Sequence, residues 1–429
     1  MSKQAVLIIH GIGNQRPMDT LRQFVRTVWS DDASLHRDHA QAAGMWSKPY
    51  PLSQNFELRR LTTAENKAGL KTDFFEFYWA HLIQGTKISH LVNWALSVLF
   101  RPPSAVPRAL RLLYAVLWLA LIGFVALSAL SAWRLAAGEE QPWWLKWLLG
   151  LIVVPALTMV LTEIVGDAAR YLHVDPANIQ RRHEIRAAGV QVLQSLHETG
   201  YERIVVVGHS LGTVIAYDVL THAWAAAAAK DAPASADTLA AVRTLEDMAV
   251  AGVADPKRWQ AAQRQLFELR RKAGSSWRVS DFISMGSPLA HAQVLLAADA
   301  ADLAQRIQAR ELLACPPALE STTVDHKPWS GFSYPAGAAQ RRLHHAAVFA
   351  VTRWTNLYFP ARALIGGDVV GGPVAPVFGP AVRDVAVRTT RWGGLLSHTA
   401  YWQPDGVDSH IAVLRQALDL LDQGAAPIP

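Results

Sequence analysis

The feature that most constrains how this chain folds is the run around position 210. Ile204 to Val207 is a short, uninterrupted β-branched segment, Gly208-His209-Ser210-Leu211-Gly212 follows it, and a helical pattern runs from Leu211 to Trp224. A short apolar β-branched run that ends at glycine reads as a buried strand. A strand that turns into a helix this abruptly needs glycine on both sides of the turn, because a Cβ there would collide with neighbouring backbone. The turn lifts the Ser210 hydroxyl above the end of a sheet, beside a helix N-terminus whose dipole favours negative charge.

Four further runs of the same kind read as buried strands: Ala5 to Ile9, Phe74 to Trp79, Phe282 to Met285 and Trp354 to Tyr358. Helical patterns separate them at Thr20 to Trp29, Ile179 to His197, Leu211 to Trp224 and Ile411 to Leu421. Strands alternating with helices predict an α/β fold with a doubly wound, mostly parallel sheet. The alanine-rich segment from Ala223 to Ala241 and the charged helical stretch Leu239 to Lys272 read as a helical excursion above that sheet, over about 223–275. At about 150 residues per domain, a chain of 429 residues would form two to three domains, although single α/β domains run longer.

Composition narrows the class. Hydrophobic residues make up 51% and charged residues 18%, which excludes a disordered or acidic-tail protein. The single cysteine, Cys315, excludes a disulfide framework and a cysteine-rich metal site. The net charge is +6, and no basic block exceeds Arg270-Arg271-Lys272, so nucleic acid is not an expected partner.

The apolar excess is internal. Met1 to His10 does not read as a secretory signal, since it has one lysine and no small-residue cleavage site. Leu112 to Trp133 carries no formal charge and is long enough as a helix to cross about 30 Å of hydrocarbon. A second run, Trp147 to Thr162, reaches a comparable length if Trp143 to Leu145 join it and Lys146 snorkels. Several of the 16 tryptophans (Trp133, Trp143, Trp144, Trp147) cluster at the link, as at a membrane interface. The expectation is a membrane helical hairpin inserted at 88–170, with the amphipathic lead-in Ile88 to Phe100. Arg101, Arg108 and Arg111 before it and Arg170, Arg181 and Arg182 after it place both ends of the chain on the cytoplasmic side of the inner membrane. A buried helix pair or an apolar lid is the alternative.

The candidate chemistry is nucleophilic. His10-Gly11-Ile12-Gly13 follows the first strand, and a loop of this kind turns a backbone N–H toward a developing oxyanion, joined by the N–H after the nucleophile. Ile12 and Leu211 are the expected donors. Position 16 is arginine, so the loop is not a dinucleotide fingerprint. A serine nucleophile needs a base, and the base needs an orienting acid. His398, in the turn from Ser397 to Trp402, is the expected base. His410 reads as an exposed first-turn residue behind an Asp408 N-cap, and His344 and His345 as surface or helix residues. Asp368, in the glycine-rich loop Gly366 to Pro373, is the expected acid. Asp281, at a strand start where it would cap, Asp384 and Asp405 compete with it.

Assembled, these residues resemble an α/β-hydrolase of the serine esterase and lipase type. The resemblance is to bacterial membrane-associated hydrolases with an H-G-I-G loop (His10–Gly13), a G-H-S-L-G elbow (Gly208–Gly212), a W-x-N-L-Y strand (Trp354–Tyr358) and an H-x-x-Y-W turn (His398–Trp402). In such relatives the acid lies shortly after the Y-x-P turn; here Asp368 comes several residues later, as after a short insertion. Ser287-Pro288 also resembles a loop beside such active sites. The resemblance implies a hydrolase domain formed by 1–87 and 171–429 around the inserted hairpin. It implies a Ser210–His398–Asp368 triad with an oxyanion hole at Ile12 and Leu211, and no cofactor or metal. The expected activity is cleavage of carboxylic esters, with lipid esters inferred from the anchor; the expected partners are the bilayer and a small-molecule or lipid ester. A non-catalytic membrane scaffold and an injected lipase-type toxic effector are the alternatives.

Overall fold

Eight strands form one sheet in the order β12-β11-β6-β5-β1-β4-β3-β2. The computed structural model describes residues 3–11, 16–36, 44–50, 58–82, 102–103, 111–138, 142, 176–231, 233–361, 367–368, 370–388, 395–405 and 409–424. In chain order the sheet strands are β1 (Lys3–Ile9), β2 (Met45–Pro49), β3 (Arg59–Thr63), β4 (Lys71–Phe77), β5 (Arg203–His209), β6 (Val279–Met285), β11 (Arg353–Tyr358) and β12 (Arg383–Ala386). Between β6 and β11 lie two small antiparallel pairs, β7 (Glu320–Val324) with β8 (Lys327–Gly331), and β9 (Ser333–Tyr334) with β10 (Arg342–Leu343). The strands from β12 to β4 run parallel, and β3 and β2 extend the sheet antiparallel at one edge. The fold is a mixed α/β architecture on a mostly parallel sheet.

The central strands are buried on both faces, as the uninterrupted apolar runs Ala5–Ile9 and Ile204–Val207 require. Ala5, Leu7, Ile9, Ile204, Val206 and Phe282 face one core, whereas Val6, Ile8, Val205, Val207, Ile283 and Met285 face a second. Among the described residues the α-helices of seven residues or more are α1 (Asp19–Val25), α2 (Arg111–Ala136), α3 (Pro176–Glu198), α4 (Leu211–Lys230), α5 (Ala236–Val250), α6 (Pro256–Lys272), α7 (Ala300–Gln308) and α8 (Ser409–Leu418). Leu193 of α3, Val214 of α4 and Leu266 of α6 close the first core; Phe24 of α1 and Leu414 of α8 close the second.

The expected single helical stretch Leu239 to Lys272 is two helices. Asp255 caps α6, accepting from the Lys257 N–H at 2.8 Å, and Pro256 takes the first helical position, where its missing N–H costs nothing. The first helix likewise ends earlier than its apolar pattern, passing into a π-helical turn over Arg26–Ser30.

The membrane expectation is corrected. Among the described residues no helix is long and apolar enough to cross a membrane. The first apolar run does form α2, with Ile122, Val125 and Trp133 exposed. The second run, Trp147 to Thr162, lies outside the described residues, and no apolar hairpin is shown among the described ones.

Candidate active site

The path of the chain through the sheet selects one place for a ligand. From β1 the strands proceed to β4, β3 and β2 on one side; from β5 they proceed to β6, β11 and β12 on the other. The crevice beyond the carboxyl ends of β1 and β5 is therefore the switch point where open parallel sheets bind ligands. His10-Gly11 leaves β1 there, and Ser210 leaves β5.

Ser210 sits at φ 52° and ψ −130°, a backbone conformation that L-residues rarely adopt. The turn that holds it is fixed from both sides. The Ser210 N–H donates to the Met285 carbonyl at 3.0 Å. The Ser210 carbonyl accepts from the Thr213 N–H at 2.9 Å and from its hydroxyl at 2.7 Å. The flanking glycines are obligatory for the reason anticipated from the sequence. A Cβ at Gly212 would lie 2.2 Å from the Ile9 carbonyl oxygen, and one at Gly208 would lie 2.7 Å from the Thr213 Cα. Gly11 also lies against the serine, since a Cβ there would stand 2.7 Å from Ser210 Cβ. Leu211 opens α4, so its N–H belongs to the first turn, whose N–H groups have no intrahelical acceptor. The other expected donor, Ile12, lies outside the described residues.

Asp368 and His398 come from the loops after β11 and β12 and meet as a pair. His398 Nδ1 donates to Asp368 Oδ2 at 2.9 Å; in a neutral imidazole that donates through Nδ1, Nε2 is the acceptor. Asp368 is fully buried, whereas the His398 side chain keeps 15% exposure. Oδ1 of Asp368 accepts the N–H groups of Val370 at 2.9 Å and Gly371 at 3.0 Å. Burial alone would raise this carboxyl, but the bonds from His398, Gly371 and Tyr401 outweigh it and hold Asp368 at about 2. The pair reaches the serine turn through Gly286, at the exit of β6. A Cβ there would lie 2.9 Å from Asp368 Oδ2 and 3.1 Å from His398 Cε1.

His209, the residue before the serine, ties the two halves together. Its Nε2–H donates to the His398 carbonyl at 2.7 Å, and its ring centroid is 5.0 Å from that of His398. Burial lowers His209 to about 3, so the ring is neutral. His10 is handled similarly: it is buried, lowered to about 4 by desolvation, donates from Nδ1 to the Gly11 carbonyl at 2.8 Å, and stacks on Trp79.

The competing candidates are placed elsewhere. Asp281 does not cap a strand. It lies inside β6, held by Arg203 Nη2 and Arg353 Nε at 2.7 Å each, and these cations drive its carboxyl well down against the effect of burial. Asp384 accepts the N–H groups of Val374 and Ala375 and the Asn356 side-chain amide, which fixes the loop after Asp368. His410 is fully buried rather than exposed, paired with the Gln403 carbonyl through Nε2 at 3.0 Å. Its expected cap, Asp408, lies outside the described residues. His344 is also buried. Among the described residues no group of three or more histidine, cysteine, aspartate or glutamate side chains could hold a metal ion. Sequence reasoning assigned no role to His209, Gly286 or Tyr401. His209 and Tyr401 stood only as letters of the G-H-S-L-G and H-x-x-Y-W patterns, and Tyr401 lies three residues past His398, within reach of the same partner.

No protein-family model, no curated protein and no solved structure matches the chain.

Proposed function

We propose that the protein is a serine hydrolase of the α/β-hydrolase kind that cleaves acyl esters through a Ser210–His398–Asp368 triad. The observation that carries this reading is a serine at φ 52° on a glycine-flanked turn at the switch point, whose neighbour His209 bonds the His398 carbonyl at 2.7 Å, beside an Asp368–His398 pair bonded at 2.9 Å. The chain order, serine then aspartate then histidine, agrees with it.

In the proposed reaction Ser210 Oγ attacks the ester carbonyl while His398 Nε2 takes its proton. Asp368 holds the ring in the tautomer that leaves Nε2 free and stabilises the imidazolium that forms. The tetrahedral oxyanion lies against the Leu211 N–H at the start of α4, where the helix dipole adds to it. His398 returns its proton to the departing alkoxide, leaving an acyl-serine. Water, deprotonated by the same nitrogen, releases the acid and regenerates Ser210. The expectation of a lipid substrate rested on the anchor and is not carried forward; the chemistry requires only an acyl carbonyl.

The test is hydrolysis of short-chain p-nitrophenyl esters by the purified protein. The reading predicts turnover with an acyl-enzyme burst, abolished in Ser210→Ala and His398→Ala variants that melt like the wild type. Turnover retained by folded Ser210→Ala would overturn it.

A further inference from the structure

We infer that Tyr401 is a positioning residue whose hydroxyl locks the Asp368 carboxylate in the orientation that holds His398. This rests on the proposed hydrolase reading and extends it outward from the triad.

The geometry begins with the 3₁₀ turn Leu395–Thr399. His398 lies in that turn and Tyr401 two residues beyond its end, and both reach one atom: His398 Nδ1 donates to Asp368 Oδ2 at 2.9 Å, and the Tyr401 hydroxyl donates to it at 2.8 Å. With the Val370 and Gly371 N–H groups on Oδ1, four donors meet the roughly four lone-pair sites of a carboxylate. The terminal torsion of an aspartate is soft and broad. The Oδ1 pair and the Oδ2 pair together fix it.

Tyr401 is itself anchored where Asp368 is anchored. The Phe359 N–H donates to the Tyr401 hydroxyl oxygen at 3.2 Å, and the Phe359 carbonyl accepts from the Asp368 N–H at 3.2 Å. One residue at the exit of β11 therefore ties down both the main chain and, through Tyr401, the side chain of Asp368. The phenol ring cannot swing away. It packs on the Phe359 ring with centroids 4.5 Å apart, and a Cβ on Gly286 would lie 2.7 Å from Tyr401 Cε2. Burial and the neighbouring carboxylate both push the phenol well above its ordinary range, so it stays a donor wherever the enzyme works.

The test is Tyr401→Phe, which keeps the ring and removes the hydroxyl, read by fluorophosphonate labelling rate and by the low-field proton resonance of His398 Nδ1–H. Folded Y401F should label about ten-fold more slowly, the order expected for one hydrogen bond to a charged group. Its Nδ1–H resonance should move, because Oδ2 then serves one donor instead of two. In an Asp368→Asn background, where the amide holds His398 in the tautomer that cannot take the serine proton, the same change should have no further effect on the labelling rate. An unchanged resonance and rate in folded Y401F, or the same slowing in the Asp368→Asn background, overturns the inference. A wild type that never labels removes the hydrolase reading, and the inference falls with it. Should Y401F not fold, the wild type decides: a slowly exchanging low-field Tyr401 hydroxyl proton supports the bond to Asp368, and its absence overturns it.

Discussion

Replacing Asp368 with asparagine tests the proposed mechanism through a conflict that can be worked out atom by atom. The carboxylate accepts two backbone N–H groups on Oδ1, and His398 Nδ1 and the Tyr401 hydroxyl on Oδ2. An asparagine presents one acceptor oxygen and one donor amide. Turning the amide toward Val370 and Gly371 would set donor against two fixed donors in a buried site. Turning it toward His398 and Tyr401 is easier, because a hydroxyl can reverse its proton and an imidazole can change tautomer. The second arrangement therefore wins, and His398 becomes an Nδ1 acceptor with its proton on Nε2. That ring cannot take the serine proton. The same change of tautomer in a comparable triad lowers kcat by about 10⁴, or roughly 5.5 kcal/mol at about 1.36 kcal/mol per decade. The assay is ester hydrolysis alongside thermal melting. An Asp368→Asn variant within ten-fold of wild-type turnover would refute the reasoning.

Two further predictions concern buried charge. Asp281→Asn leaves Arg203 and Arg353 facing each other in the interior without their shared carboxylate; it should cost about 3–5 kcal/mol of stability, read by denaturant unfolding. The labelling rate per folded molecule should stay at the wild-type level, which separates this structural acid from the proposed catalytic one. Glu76 is 2% exposed, accepts the Met18 N–H at 2.8 Å through Oε2, and is pushed up to about 7, mainly by burial. A carboxyl raised in the folded state favours folding while it is protonated, and that contribution is lost as pH rises from its ordinary value of 4.5 through about 7. Glu76→Gln should therefore raise stability above pH 7 by about 3 kcal/mol and flatten the dependence between those values. Melting curves that steepen instead would contradict it.

The parts of the fold legible in the sequence were those whose burial is one-dimensional. β1, β4, β5, β6 and β11 are covered on both faces, so each shows as a short run rich in apolar residues, unbroken over Ala5–Ile9 in β1 and Ile204–Val207 in β5. β2, β3 and β12 lie at or toward the sheet edges; Met45–Pro49 is mostly exposed and Arg383–Ala386 carries two charges, and neither shows strand periodicity. The serine turn was legible because steric demand writes glycine at fixed offsets. Asp368 was legible through its glycine-rich loop, which supplies the N–H groups it accepts. Asp281 was misread because its partners, Arg203 and Arg353, come from the two strands beside β6 and far away in the chain, and nothing local marks the pairing. The burial of His410 is also a tertiary fact, set by packing against Phe359. The membrane reading failed differently. It took length and apolarity of a run as sufficient, and no membrane-crossing helix is found among the described residues.

The central claim is that Ser210 is an activated nucleophile, and the most direct measurement is covalent labelling by a fluorophosphonate followed by peptide mapping. The account predicts one adduct per chain, on the peptide that contains Ser210, formed by the wild type and lost in both Ser210→Ala and His398→Ala. An adduct on another residue, or a folded wild type that forms none, would contradict it.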